Sequence, residues 1–393
     1  MSGPLYLAWR YLAHHRAKTA ILVTAITLIA FLPIGLNQLV SESGRQLAAR
    51  AQSTPLLVGE RGSRLDLVLA SLYFASDPPA AMRYAEAERV DASELATAIP
   101  LHVRFRARGH SVVGTTLEYL EFRGLRVAAG RPMAVLGECL VGAAAARDLE
   151  LSPGDTVTTS PETVFDLAGT YRLRMRVAGV LAPSHTPDDE AIFVDVKTAW
   201  VIEGLGHGHQ DVASPGASSA VLKREDDRVT ANASLVEYNE ITPENLASFH
   251  FHGDLAEHPV SAVLAVPRDE KSRVLLLGRY TAPDEAVQIV EPAAVMDDLL
   301  ATVFTVRRYV LAAIALVSAA TLVVAGLVFL LSVRLRRREI ETLHKLGAAR
   351  SHVALMLAAE VVAVIAVAGA LAGVLTWLSG SFGGAAIRAF LLS

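Results

Sequence analysis

Seven polar residues in the middle of the chain have the types and spacing of a metal site. GHGHQD (206–211) and FHFHGDLAEH (249–258) each hold a His-x-His followed two residues later by an aspartate. Side chains alternate between faces along a strand, so His-x-His puts two imidazoles on one side. Imidazole nitrogen suits Zn²⁺ or Cu²⁺. His207, His209, Asp211, His250, His252, Asp254 and His258 are therefore candidate ligands. Two plainer readings stand beside this one. The residues are also consistent with surface histidines in turns made by Gly206, Gly208 and Gly253, or with a pH-responsive patch. The only cysteine, Cys139, excludes an internal disulfide and a cysteine-based metal cluster.

A second stretch is built to move or to dock. RLRRREIETLHKLGAARSHV (334–353) joins a dense basic cluster to a short amphipathic pattern, with apolar residues at Ile340, Leu343, Leu346 and Val353. Glu341 and Lys345 are four apart, in the order that favours a helical ion pair. Gly347 is placed to stop the helix, and Ala348 onward to start another. Charge alone would also fit an ordinary basic loop that fixes topology. Enzymatic chemistry finds no support. There is no G-x-x-x-x-G-K-[ST] loop, no H-E-x-x-H and no nucleophile elbow, so the chain is neither the ATPase itself nor a recognisable hydrolase.

These groups are held by two kinds of element. Hydrophobic residues make up 52% of the chain and charged residues 19%, which fits a membrane protein with a large part in water. A bilayer core of ~30 Å needs about 20 apolar residues in a helix. Residues 21–40, 309–333 and 353–378 meet that length. The first span carries Pro33 as a kink point, and the third carries Glu360 about two turns from its start. Glu360 is either an interfacial carboxylate near the cytoplasmic end or a partner of Arg336, Arg337 or Arg338. Residues 1–20 precede the first span, which reads as an uncleaved anchor rather than a signal peptide. Arg10, Arg16 and Lys18 flank it, and Arg334, Arg336, Arg337, Arg338, Lys345 and Arg350 lie between the second and third spans. The excess of basic residues places both regions in the cytoplasm, with residues 41–306 and the tail 379–393 outside. Arg307 and Arg308 run against this rule but are outnumbered.

Residues 41–306 alternate strand-like and helix-like pieces and predict a mixed α+β domain, arranged in two subdomains. Residues 41–52 and 296–304 read as helical stalks. Residues 102–116 alternate like a hairpin turning at Arg108-Gly109. Residues 134–160 read as strand, helix, Pro-Gly-Asp turn and strand. Strand patterns recur at 171–183, 191–205, 262–267 and 287–292, the second running on into a helix. VASPGASSAV (212–221) reads as a loop or joint. The fold class expected is thus a membrane protein with a three-span α-helical part and a large extracytoplasmic α+β domain.

RRREIETLHKLGAARSHV (336–353) resembles the R-R-R-E-I-x-x-L-R-A-L-G-A-S-R-R-x-I segment of the FtsX-like or MacB-like ABC transporter permeases. The likeness extends along the chain. WRYLAHHRAKTAILV (9–23) looks like that family's N-terminal amphipathic helix entering its first span. AAGRPMAVLGECLVGAAAARDLELSPGDTV (128–157) and VAGVLAPSHTPDDEAIFVDVKTAW (177–200) are similar to conserved patterns of its periplasmic domain. The resemblance implies a permease of the mechanotransmission type in the bacterial inner membrane, its N-terminus and 334–352 in the cytoplasm. A separate cytoplasmic ABC ATPase would bind ATP and contact Arg337, Arg338, Glu339, Ile340, Leu343, Leu346 and Gly347. A second permease copy would complete a homodimer, and a lipoprotein, peptide or metal-linked cargo, or another periplasmic partner, would be handled outside. Nucleic acid is not an expected partner, and the link to zinc systems makes Zn²⁺ the ion to test first. Family members of this layout have four spans, one more than is read here. The alternative functions are a non-transport regulator of a periplasmic partner and a component of zinc uptake.

Overall fold

The computed structural model describes residues 3–75, 79–160, 172–209, 221–225, 228–231, 238–282 and 285–391. Two units emerge: residues 48–297, and a helical unit made of residues 1–47 with 298–393.

The helical unit begins with α1 (Gly3–His14) and α2 (Arg16–Gln52), which continues through Pro33 without a break. Its remaining helices are numbered after those of the sheet unit. That unit opens with β1 (Leu56–Glu60), α3 (Arg64–Tyr73), β2 (Met82–Arg83), α4 (Ala85–Ala92), β3 (Ala96–Ala107), β4 (His110–Thr115) and α5 (Leu117–Arg123). It continues with β5 (Val127–Gly130), β6 (Glu138–Val141), α6 (Ala143–Asp148), β7 (Thr156–Thr158), β8 (Arg174–Leu181), β9 (Ala191–Asp195), α7 (Val196–Ile202) and β10 (Gly206–Gly208). It closes with β11 (Val221–Glu225), β12 (Arg228–Ala231), β13 (Phe249–Phe251), β14 (Pro259–Val260), β15 (Ala262–Pro267), α8 (Glu270–Arg279) and β16 (Val287–Val290).

Ten of these strands form one mixed sheet, in the order β16-β1-β15-β3-β4-β9-β6-β8-β5 with β7 beside β8. The twelve-residue β3 holds the sheet together. Its first half pairs with β15, from Ala96 opposite Pro267 to Leu101 opposite Ala262. Its second half pairs with β4, and a register shift between Val103 and Phe105 marks the change. The turn into β4 uses Arg108 and Gly109, both at positive φ (50° and 96°), the conformation that lets a two-residue hairpin follow the strand twist. Two apolar clusters lie along this sheet. One gathers Phe105, Cys139, Met175 and Val194; the other gathers Leu56, Val90, Trp200 and Val263. The large sheet thus runs continuously past both cores, and β10-β13, β11-β12 and β14-β2 pair as separate two-stranded ribbons.

α9 (Pro292–Leu335) is followed by α10 (Arg337–Lys345) and α11 (Arg350–Leu391). Among the described residues three helices are long and apolar enough to cross a membrane: Arg16–Gln52, Pro292–Leu335 and Arg350–Gly380. Thr27 donates to the Ala368 carbonyl (3.3 Å), tying α2 to α11, and Tyr11 lies 3.1 Å from the Ser332 hydroxyl, tying α1 to α9. Residues 379–391, read from the sequence as a tail, are the last turns of α11; no proline interrupts them.

Candidate functional site

The stretch 334–353 folds as its charges and glycine dictate. The long α9 ends at Leu335, and Arg336 leaves the helical conformation, with no side-chain cap for α10. Its guanidinium turns back instead. It donates to both carboxylate oxygens of Glu360 on α11 (2.9 and 3.2 Å) and lies 3.5 Å over the ring of Tyr11 on α1. A two-pronged, charge-assisted contact of this kind fixes orientation as well as energy. Glu360 is buried, so of the two readings open in the sequence the geometry shows the ion pair, with Arg336 as partner.

Beyond this clamp no residue of α10 is fully buried. Arg337, Arg338, Glu339 and Leu346 are exposed, and Ile340 and Leu343 are half-buried. Glu341 pairs back to Arg337 (3.2 Å), four residues earlier, and not forward to Lys345 as its spacing suggested. The helix is stopped at Gly347, at φ +91°. The Gly347 N–H donates to the His344 carbonyl and the Ala348 N–H to the Leu343 carbonyl, both at 3.0 Å. These are the two bonds of a Schellman motif, and a left-handed residue with no Cβ strain makes them possible. All seven residues expected to contact an ATPase therefore lie on or directly after one short, accessible helix.

The histidines are positioned by the same device. Gly204, at φ +84°, ends α7 with Gly204 N–H donating to Val201 and Leu205 N–H to Trp200. The chain then enters β10, which pairs antiparallel with β13 so that His207 faces His250 directly. On the inner face of this ribbon Gly206 and Gly208 lie against the rings of Phe251 and Phe249. A Cβ on either glycine would come within 2.7 and 2.5 Å of those rings. Phe249 and Phe251 pack on the core of the sheet. The outer face collects the imidazoles. His207 lies 4.8 Å from both His250 and His252, ring centre to ring centre; His250 lies 4.9 Å from His252 and 5.3 Å from His209. One nitrogen each of His207, His209 and His250 falls within 4.8 Å of the others.

The rest of the expected set goes elsewhere. His258 is buried at the inner face, its ring 4.8 Å from Trp200 and its Nδ1–H on the Asp254 carbonyl (2.9 Å). The Asp254 carboxylate accepts from the Ala256 N–H (3.0 Å), capping a short helical turn. Neither joins the four imidazoles, because a local cap and an aromatic contact already occupy them. Asp211 lies outside the described residues.

One constellation escaped the sequence entirely. Arg50, at the end of α2 nearest the sheet, is buried with Asp188 and Tyr119. Its guanidinium donates to both Asp188 oxygens (2.5 and 2.8 Å), to the Leu72 carbonyl (2.6 Å) and to the Tyr119 hydroxyl (2.8 Å). Tyr119 donates in turn to Asp188 (2.7 Å). Burial alone would push the Asp188 carboxyl up, but the charge and hydrogen bonds of Arg50, with Tyr119, hold it below its usual range. Burial pushes the Tyr119 phenol up, so it serves as a neutral donor. No sequence signal links positions 50, 119 and 188.

A family model described as the MacB-like periplasmic core domain matches residues 19–238, more than half of the chain. The chain belongs to this family, whose place is in ABC transporter permeases of the FtsX/MacB type. Among solved structures it is similar to the periplasmic region of MacB from Actinobacillus actinomycetemcomitans, at 10% identity and a TM-score of 0.35, covering 66% of this chain and 97% of that one. It is also similar to the extracellular domain of the noncanonic ABC-type transporter YknZ from Gram-positive bacteria, at 12% identity and a TM-score of 0.32, covering 60% of this chain and 98% of that one. No curated protein matches the sequence.

Proposed function

We propose that this chain is the permease subunit of an ABC transporter that turns ATP hydrolysis in a separate cytoplasmic ATPase into movement of its outer domain. The observation that carries the reading is α10: a short, accessible helix set between two helices of membrane-spanning length, in a chain whose other large insertion is a MacB-like core domain. The three apolar helices cross the bacterial inner membrane, with residues 334–352 in the cytoplasm and the sheet unit in the periplasm. Irregular backbone and sheet edges cannot face lipid, so the sheet unit must lie on one side of it. Two copies of the chain form the transporter. Closure of the paired ATPases pushes α10, and the helices α2 and α9 pass the motion outward. Within the apolar runs 21–40, 309–333 and 353–378 Glu360 is the single acidic residue, and Arg336 at the cytoplasmic end holds it, which favours mechanical coupling over conduction through the membrane.

The test is ATP turnover in proteoliposomes holding the full-length permease and its cognate ABC ATPase. Leu343→Asp is expected to reduce permease-dependent turnover at least tenfold, because it places a charge on the half-buried apolar edge of α10. Turnover that is equal with wild type, with the variant and without permease would overturn the assignment.

A further inference from the structure

We propose that His207, His209, His250 and His252 form a binding site for one late divalent transition metal ion, of the class of Zn²⁺, Co²⁺ or Ni²⁺. The inference rests on the outer face of the β10–β13 ribbon and does not depend on the transport reading.

The first support is convergence from two separate chain segments. His207 and His250 are directly cross-strand, and His209 and His252 extend the same face in opposite directions along the ribbon. His207 and His250 thus form a central pair, with the rings of His209 and His252 each centred 4.8 to 5.8 Å from both. In a tetrahedral site with bonds of ~2.0–2.1 Å, ligand nitrogens stand about 3.3–3.4 Å apart. Three of these nitrogens already lie within 4.8 Å of one another, a gap that side-chain rotation can close.

The second support is the second partner of a ligand. Nδ1 of His250 is 3.0 Å from the Ser248 carbonyl. A carbonyl only accepts, so Nδ1 carries the proton and Nε2 keeps its lone pair. Metal-binding histidines are commonly fixed in this way, with the other ring nitrogen donating to a backbone carbonyl.

The third support is that the ribbon is anchored by its other face, where Phe249 and Phe251 lie on Gly208 and Gly206 and on the core, so the imidazoles share a face that the core does not cover. The donor set also defines the ion. The converging group among the described residues holds three imidazoles and no carboxylate. Nitrogen donors of this kind favour late transition metals over Mg²⁺ and Ca²⁺. His250 and His252 are exposed, so an ion can reach the site from solvent.

The experiment is a Co²⁺ titration of the chelator-stripped, full-length protein in detergent, followed by Zn²⁺ competition. One equivalent of Co²⁺ is expected to give the intense visible bands of a four-coordinate, nitrogen-ligated site, and one equivalent of Zn²⁺ to abolish them. His207→Ala/His250→Ala should weaken Zn²⁺ binding at least 100-fold, and the exposed His185→Ala should leave it unchanged. Should the double variant fail to fold, His252→Gln alone tests the site, with an expected change in the cobalt spectrum. Absence of the bands in the wild type, or equal affinity in the wild type and the folded histidine variants, would overturn the proposal.

Discussion

Leu140 and Leu327 are the same residue in opposite surroundings. Leu140, on β6, has no exposure at all; Leu327, on α9, is 60% exposed, as are Leu316, Leu322 and Leu331 to similar degrees. The sheet unit spends its apolar side chains on itself, and the helical unit turns most of its own outward. Yet both units set an arginine on a buried carboxylate beside a tyrosine: Arg50 with Asp188 and Tyr119 in one, Arg336 with Glu360 and Tyr11 in the other. The difference locates the source of order in each. Hydrophobic burial organises the sheet unit, with the ion pair set inside a finished core. In the helical unit apolar contact between helices gains little if lipid is the solvent, so polar clamps and close packing carry a larger share.

The comparison can be broken most forcefully at Asp188. Asp188→Ala leaves the Arg50 charge buried without its partner, and a loss of about 3–5 kcal/mol is expected in chemical unfolding of the sheet unit, read in the full-length protein by protease resistance. The same carboxyl predicts an acid limb. Its folded-state value lies below its ordinary one, so its contribution is complete above about pH 4 and drains away as pH falls through and below that range. Asp188→Asn should flatten this limb; an unchanged acid profile would detach the pair from stability.

A truncation pair comes next. Leu140→Ala should cost about 2–5 kcal/mol by leaving a cavity in the sheet unit, measured by the same unfolding assay. Leu327→Ala, made on an exposed position of α9, should stay within about 0.5 kcal/mol. Equal costs would mean that the helical unit is packed as tightly as the sheet. A smaller effect is expected at Ser63, whose hydroxyl accepts from the Asp66 N–H at the start of α3. Ser63→Ala should cost about 1 kcal/mol. The smallest belongs to α10, where Glu341→Gln removes the exposed pair with Arg337 and should cost about 0.3–0.5 kcal/mol in low salt, falling as salt is added. A larger value would show that α10 is held by more than its own turn.

Much of this molecule is legible in its sequence where the signal is local. The basic cluster and Gly347 mark α10, alternation marks the β3–β4 hairpin, and long apolar runs mark the spanning-length helices. What was not legible is set by contacts far apart in the chain. Nothing in the sequence says that β4 pairs in parallel with β9, or β6 with β8. The short helices α4 and α5 carry too few turns to show a period. Arg50 and Asp188 find each other across the fold. The histidine group was readable by type but not by membership. Whether His252 or His258 joins it depends on which face of a three-residue strand each one meets, and that is settled by where Trp200 sits.

Cys139 carries a practical consequence. It lies on β6, an interior strand of the sheet, with no exposure, and burial pushes its thiol well above the usual range, so little thiolate is available to react. As the sole cysteine it leaves the protein chemically silent toward thiol reagents while folded. The wild-type chain is therefore ready for site-directed labelling: paired spin or fluorescence probes on introduced cysteines could follow α2 and α9 through an ATP cycle with no background to remove first.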